Sequence, residues 1–118
     1  MLIAYLRGEV VPLIDTASKE GTIVVPPIVV AELITGAGTP AEHVAIGELL
    51  QESPLHPTPL SHWIAVGELR RTLRRAGLAV TIPDAHVAQC ALDRDAVLLT
   101  RDAIFKRMAR HIPLRLAE

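Results

Sequence analysis

Residues 96–102 have the sequence AVLLTRD, and this stretch decides the fold because it joins a buried type of strand to an acidic residue. Ala96 to Thr100 is a short aliphatic run, which favours a strand covered on both faces. Asp102 follows and is expected to begin a helix that ends near Arg110. In parallel α/β folds, active sites form where strands end, so Asp102 lies where chemistry is expected.

Strands and helices alternate along the rest of the chain. Thr22–Val25 is a β-branched run that predicts a strand. Pro27 is expected in the first turn of the helix that follows it. This alternation predicts an α/β fold with a parallel sheet, in a single domain over residues 1–118. Helices are predicted at 2–7 (the end of one), 9–20, 28–35, 42–52, 61–75 and 83–92, and weak strands at 55–58 and 112–116.

Composition excludes several classes of protein. Half of the 118 residues are apolar and three are aromatic, so we expect an aliphatic globular core. Cys90 is the only cysteine, so an internal disulfide is impossible and a thiolate zinc site is expected to be absent. No secretory signal or membrane-length apolar run is found, so a cytoplasmic protein without membrane contact is expected.

Charge is unevenly distributed although the net charge is −1. Residues 1–69 contain two basic and eight acidic residues, whereas residues 70–118 contain ten basic and five acidic residues. A basic half can attract a polyanion, although charged helix faces are often only solvated. The densest basic segment lies on one predicted helix and comprises Arg70, Arg71, Arg74 and Arg75.

Three acidic residues stand in unusual surroundings. Glu32 interrupts an apolar helix, Asp84 follows a proline at a helix start, and Asp102 follows a strand. Each has a structural explanation, since Asp84 and Asp102 can be N-caps and Glu32 can pair with an arginine or lie at a surface edge. Gathered in one cleft, the three would repel one another unless a cation neutralised them. Oxygen ligands of this kind suit Mg²⁺ or Mn²⁺, which can activate water against a phosphodiester.

Several segments together resemble PIN-domain toxins of the VapC family, in the right order along the whole chain. Residues 2–9 resemble the first helix of that family, and residues 23–36 resemble its second strand and the helix bearing the second acid. Residues 77–92 and 98–102, with Phe105 after them, resemble the segments that bear the third and fourth acids.

The resemblance implies a three-layer α/β/α fold and a metal-dependent endoribonuclease, the toxin of a type II toxin–antitoxin pair. It implies that Glu32, Asp84 and Asp102 hold Mg²⁺ or Mn²⁺, with Asp84 a direct ligand and Thr100 a supporting hydroxyl. RNA is the implied substrate, and Arg101 joins the four arginines listed above as a candidate RNA contact. A VapB-like antitoxin and a homodimer are the implied partners.

One departure from the family affects both fold and activity. These toxins begin with an apolar strand that ends in Asp-Thr or Asp-Ser, and neither that strand nor that acid is identified before residue 2. We therefore expect an N-terminally shortened domain whose central strand is absent and whose nuclease activity is low. The alternative is a catalytically degenerate PIN-like module that acts only through a protein partner such as an antitoxin.

Overall fold

The computed structural model describes residues 1–21 and 23–117. Six helices and three strands are formed by these residues. In chain order the elements are β1 (Leu2–Tyr5), α1 (Val10–Glu20), α2 (Pro27–Gly36), α3 (Pro40–Glu52), α4 (Leu60–Arg75), α5 (Ile82–Arg94), β2 (Val97–Thr100), α6 (Ala103–Met108) and β3 (Arg115–Leu116).

The three strands form a parallel sheet in the order β1-β2-β3. β1 and β2 run in register from Leu2 opposite Val97 to Tyr5 opposite Thr100, so both strands end at the same edge. Single parallel bridges join Ile3 to Val24 and Val25 to Leu55. These bridges extend the pairing beyond the other side of β1, which makes β1 the central strand.

The first segment corrects the prediction from sequence. Residues 2–7 were expected to end a helix, with no central strand in the chain, but Leu2–Tyr5 is itself a strand and fills that position. A four-residue apolar run has too little periodicity to distinguish a strand from a buried helix. The open edge of β2 decides the matter, because pairing with it satisfies backbone groups that would otherwise be left without partners.

Most of the remaining elements match their predicted positions. The helices predicted at 9–20, 28–35, 42–52, 61–75 and 83–92 all form, with ends shifted by one or two residues. The predicted strand over Thr22–Val25 is reduced to the bridges at Val24 and Val25, and Thr22 lies outside the described residues. The mixed α/β class with a parallel sheet is therefore confirmed.

The core is aliphatic, as the composition predicted, and includes two of the three aromatic residues. The rings of Tyr5 and Phe105 are buried and meet edge to face, with their centroids 5.8 Å apart. The third aromatic residue, Trp63, is 41% exposed and lies outside this core. Within the residues described, no helix is long and apolar enough to cross a membrane.

Candidate active site

The candidate site lies at the edge where β1 and β2 end. Arg7 follows β1 by two residues, and Asp102 follows β2 by two residues. Asp84 comes from the first turn of α5, and Glu32 comes from the middle of α2. The sheet register and two helices therefore bring together four side chains that are far apart in sequence.

The guanidinium of Arg7 joins two of the three predicted acids. Nη1 donates to Oδ1 of Asp84 at 2.8 Å, and Nη2 donates to Oδ2 of the same carboxylate at 3.3 Å. Nη2 also donates to Oδ2 of Asp102. Because bidentate, charge-assisted contacts of this kind are the stronger hydrogen bonds in proteins, Arg7 holds the two carboxylates close together.

Glu32 enters the same network through Tyr5. The Tyr5 hydroxyl donates to Oε2 of Glu32 at 3.2 Å and accepts from Nη1 of Arg7 at 3.2 Å. The other oxygen of Glu32, Oε1, is buried and has no hydrogen-bond partner among the described residues. A buried carboxylate oxygen without a partner is costly, and it marks a place where a cation would be stabilising.

The capping explanation holds for one acid and fails for the other. Thr81, not Asp84, is the N-cap of α5, because its hydroxyl accepts from the amide of Asp84 at 3.3 Å. Asp102 is the N-cap of α6, with Oδ1 accepting from the amide of Ile104 at 3.0 Å. Its second oxygen is left to face the site, so Asp102 serves both purposes.

Burial and charge shift the ionisation of several of these groups. Burial raises the pKa of Tyr5 to about 12, and the nearby Glu32 carboxylate adds to the effect, so the hydroxyl stays protonated. The hydrogen bond from the Ile104 amide and that from Arg7 lower the pKa of Asp102. Burial acts to lower the pKa of Arg7, but hydrogen bonds to Asp102 and Asp84 outweigh it and raise that pKa.

The loop that presents Arg7 is held tightly against α2. Arg7 itself has φ 56°, a left-handed backbone conformation that costs a residue with a side chain of the order of 1 kcal/mol. Gly8 follows with φ 75°, and a Cβ added there would lie 3.1 Å from the carbonyl oxygen of Glu32. A Cβ on Gly36 would lie 2.9 Å from the carbonyl oxygen of Gly8. Glycines therefore allow the close approach that places the guanidinium among the acids.

Thr100 and Arg101 line the same surface cavity as Asp102 and Arg7. The Thr100 hydroxyl accepts from the backbone amide of Asp102 at 3.2 Å, so it positions the main chain of Asp102 and does not contact the carboxylate. Arg101 pairs with Glu9 at the rim of this cavity. Both residues thus lie beside Asp102 in this cavity.

The four arginines of α4 have separate environments. Nε of Arg70 donates to the carbonyl oxygen of Val80 at 2.8 Å, so this side chain supports the loop that leads into α5. Arg71 is exposed and lies 3.6 Å from Glu68 on the same helix. Arg74 and Arg75 are exposed in the last turn of α4. None of the four contacts Glu32, Asp84 or Asp102 in the described structure.

The chemistry of the three carboxylates suits a divalent ion better than their spacing does. Three carboxylates, one with a buried oxygen that lacks a partner, are ligands of the kind that Mg²⁺ and Mn²⁺ prefer. In the described part of the chain, however, their oxygens are not all within 4.8 Å of one another. The guanidinium of Arg7 lies between two of the acids instead. The residues would therefore fit one shared ion only if Arg7 gave up its contacts and the carboxylates moved closer together.

Sequence reasoning missed Tyr5 and Arg7, the two residues that connect the acids. Both lie in the segment that the sequence assigned to a helix, and a helix there does not predict that these residues reach the same sheet edge as Asp102. A signal was present, because Arg7 is one of only two basic residues in the first 69. A lone cation in an acidic half is a candidate partner for a buried carboxylate.

The comparisons with known proteins agree with this architecture. The PIN domain model matches residues 1–111. A chain of VapBC-1 from nontypeable Haemophilus influenzae superimposes with a TM-score of 0.72 at 22% identity, covering 100% of this chain and 98% of that one. No curated protein sequence is significantly similar to the chain.

Two further solved structures share the fold. A chain of VapBC2 from Rickettsia felis, bound to a DNA fragment from their promoter, has a TM-score of 0.71 at 22% identity and covers 99% of this chain and 98% of that one. A chain of FitAcB from Neisseria gonorrhoeae has a TM-score of 0.67 at 17% identity, with 100% and 97% covered. At these identities the likeness establishes the fold.

Proposed function

Because the chain belongs to the PIN domain family, we propose that it is a divalent-metal-dependent endoribonuclease and the VapC-like toxin of a type II toxin–antitoxin pair. The observation that carries the proposal is the convergence of Glu32, Asp84 and Asp102 on one contact network at the carboxyl edge of the sheet. Carboxylates from distant parts of a chain seldom gather in this way without a cationic partner.

In the proposed site, Glu32, Asp84 and Asp102 hold Mg²⁺ or Mn²⁺. When bound, such an ion lowers the pKa of a coordinated water and stabilises negative charge on a phosphodiester. Thr100 fixes the backbone that presents Asp102, since its hydroxyl accepts from the amide of that residue. Arg101 lies at the rim of the same cavity, where it can contact the RNA backbone.

Arg7 sets the condition under which this site works. The family resemblance places an acid after the first strand, but here the residues after β1 are Leu6 and Arg7. The guanidinium pairs with Asp84 and Asp102, offsets one of their two negative charges, and lies where an ion would bind. We therefore expect low nuclease activity from this chain, with an ion competing against Arg7 for the same oxygens.

The partners follow from the same proposal. Solved structures with this fold are named as VapBC and FitAB assemblies, two of them with DNA. We propose that this chain likewise binds a VapB-like antitoxin and forms a homodimer in the cytoplasm. Apolar side chains exposed on α4, among them Leu60, Trp63 and Ile64, offer surface for a protein partner.

Cleavage of a structured RNA tests the proposal. The chain, its Asp84→Asn variant and its Arg7→Met variant are incubated with labelled RNA and either Mg²⁺ or Mn²⁺. Weak cleavage is expected from the chain, stronger cleavage from Arg7→Met, and none when Asp84→Asn is added to either. Cleavage that is equally strong with Asp84→Asn, or that persists in excess chelator, would refute the assignment.

The ion pair also favours a second candidate, a degenerate PIN-like module that acts only through a protein partner. Because Arg7 pairs with both Asp84 and Asp102, part of the negative charge at this site is already offset without an ion. A thermal-shift titration with Mn²⁺ separates the two candidates. Stabilisation that disappears in Asp84→Asn supports the nuclease, whereas an unchanged melting temperature in both the chain and Arg7→Met supports the module.

A further inference from the structure

A second cluster of ligand-type side chains lies away from the acidic site, between α4, α5 and the segment before α4. This histidine–cysteine cluster consists of His56, His62, His86, Cys90 and Asp93. The three imidazoles and the thiol are buried, with exposures of 6%, 4%, 0% and 0% in that order, whereas the Asp93 side chain is about one-third exposed at 33%. Buried histidines are uncommon enough that three in contact need a physical account.

Hydrogen bonds fix the arrangement of this cluster. Oδ2 of Asp93 lies 3.1 Å from Nε2 of His56 and 3.0 Å from Nδ1 of His62. Nε2 of His62 lies 2.8 Å from Nδ1 of His86, whose ring is 3.9 Å from the Cys90 sulfur at Nε2. An ionised carboxylate only accepts, so His56 and His62 both donate to Asp93.

The ligand atoms come together closely enough to share one ion. One ring nitrogen of His56, one of His62 and Sγ of Cys90 all lie within 4.8 Å of one another. Among the described residues these three form the one group with this geometry. Bonds of about 2.0–2.1 Å to nitrogen and 2.3 Å to sulfur place two tetrahedral nitrogens, or a nitrogen and the sulfur, roughly 3.3–3.6 Å apart, so an inward movement of these ligands closes the site.

We propose that His56, His62 and Cys90 bind a single transition-metal ion of the zinc class, at a site separate from the three acids. Imidazole and thiolate ligands favour Zn²⁺ and Co²⁺ over Mg²⁺, which prefers oxygen. Binding replaces the S–H bond of Cys90 with a metal–sulfur bond and releases one proton to solvent. His86 or Asp93 stands next to the ligands and can complete the coordination.

The surroundings of the cluster provide a solvent-filled cavity beside the histidines and a hydrogen bond that orients Asp93. A surface cavity of about 360 Å³ is lined by His56, His62 and Asp93, so solvent reaches the histidine side of the cluster, whereas Cys90 lies behind them and is buried. Gln89 donates to Oδ1 of Asp93 at 2.7 Å, which orients the carboxylate toward the histidines. A carboxylate that accepts from a ligating histidine fixes the ring and raises its basicity.

One existing contact has to change when the ion binds. Nε of Arg94 donates to Nδ1 of His56 at 2.9 Å, so in the metal-free state the proton of His56 is on Nε2 and points to Asp93. Ligation by either nitrogen exchanges one of these hydrogen bonds for a bond to the ion. The metal-free network is complete without an ion, so the fold does not require one.

This proposal revises the expectation that a thiolate zinc site is absent. That expectation counted cysteines, and the chain has only one. The fold supplies the missing ligands from histidines 28 to 34 residues earlier in the chain. A bound ion would fasten the segment before α4 to α5, the helix whose first turn carries Asp84.

Cobalt titration tests the site, because a thiolate bound to Co²⁺ gives a strong ligand-to-metal absorption in the near ultraviolet. The full chain is stripped with a chelator and titrated with Co²⁺ alone while absorbance is recorded. We expect this absorption to saturate at one equivalent and to be reversed by Zn²⁺. Absence of the absorption at saturating Co²⁺ would overturn the proposal.

Three variants locate the ion. Cys90→Ala is expected to abolish the thiolate absorption, and His56→Asn, which keeps an acceptor for Arg94, is expected to weaken Co²⁺ binding by at least about tenfold. Asp84→Asn alters only the acidic site and is expected to leave the absorption unchanged. Circular dichroism checks that each variant folds. If Cys90→Ala does not fold, the Co²⁺ affinity of His56→Asn tests the site instead. Unchanged Co²⁺ affinity in His56→Asn would assign the site to other residues.

Discussion

Replacing Arg7 with methionine is expected to convert the acidic site from one satisfied by a guanidinium to one that needs an ion. The substitution keeps a long apolar stem and removes the hydrogen bonds to Asp84 and Asp102. The Asp84 side chain is only 7% exposed, so its negative charge is then poorly solvated. Without metal, the variant should therefore unfold more easily than the parent chain.

The structure also sets the expected size of the effect. A hydrogen-bonded charge pair of this kind contributes about 1.5–3 kcal/mol, and the 45% exposure of Arg7 places this one toward the lower end. Because about 1.4 kcal/mol corresponds to a factor of ten, removing the competitor should tighten Mn²⁺ binding by about tenfold. The loss of stability should be recovered when Mn²⁺ is added.

Calorimetric titration with Mn²⁺ and thermal melts with and without the ion measure both quantities. Arg101→Met is the matched control, because Arg101 lies at the rim and pairs with Glu9 instead of with the acids. It should change Mn²⁺ affinity by less than about threefold, as expected for an exposed pair. If Arg7→Met binds Mn²⁺ no more tightly than the parent, the guanidinium does not compete for the site and the reasoning fails.

Three further substitutions test parts of the site one at a time. Tyr5→Phe keeps the ring in the core but leaves both oxygens of Glu32 without a partner, so urea denaturation should show a loss of about 1–2 kcal/mol; an unchanged midpoint would mean that the hydroxyl is not needed. Asp102→Asn keeps the cap of α6 but removes a negative charge, so it should abolish the stabilisation by Mn²⁺ in thermal melts. Asp102→Ala should lower the free energy of unfolding further, because it also loses about 1 kcal/mol of capping. Gly36→Ala should lower the free energy of unfolding by more than about 1 kcal/mol, because its Cβ would lie 2.9 Å from the backbone oxygen of Gly8. Gly47→Ala in α3, where the added Cβ meets open space, should raise the free energy of unfolding by about 0.5–1 kcal/mol. Equal effects of the two substitutions would show that the loop at Gly8 does not press on α2.

Local sequence patterns were sufficient for most elements. Helical spacing and prolines near helix starts predicted five helices to within one or two residues, because capping and backbone restrictions act over a few neighbours. Asp102 as a helix cap belongs to the same class of local effect. The family pattern also selected Glu32, Asp84 and Asp102, and the first two strands and two helices bring all three into one network.

Two features were outside the reach of local patterns. Leu2–Tyr5 is a strand because β2 offers it a pairing edge nearly a hundred residues away in sequence, and that contact outweighs any local preference. Arg7, placed by that strand, then reaches Asp84 and Asp102. The histidine–cysteine cluster arose in the same way, since nothing in the spacing of His56, His62 and Cys90 indicates that the segment before α4, α4 and α5 bring them together.

The sequence by itself determined most of the helical segments and the parallel α/β class, because these depend on residue type and short-range periodicity, and the family resemblance selected three acids as candidates. Only the tertiary structure decided what those acids contact. Hydrogen bonds and ion pairs act over about 3 Å, a distance set by strand register and helix packing across the whole chain. For that reason the guanidinium between Asp84 and Asp102 became visible only in the folded molecule.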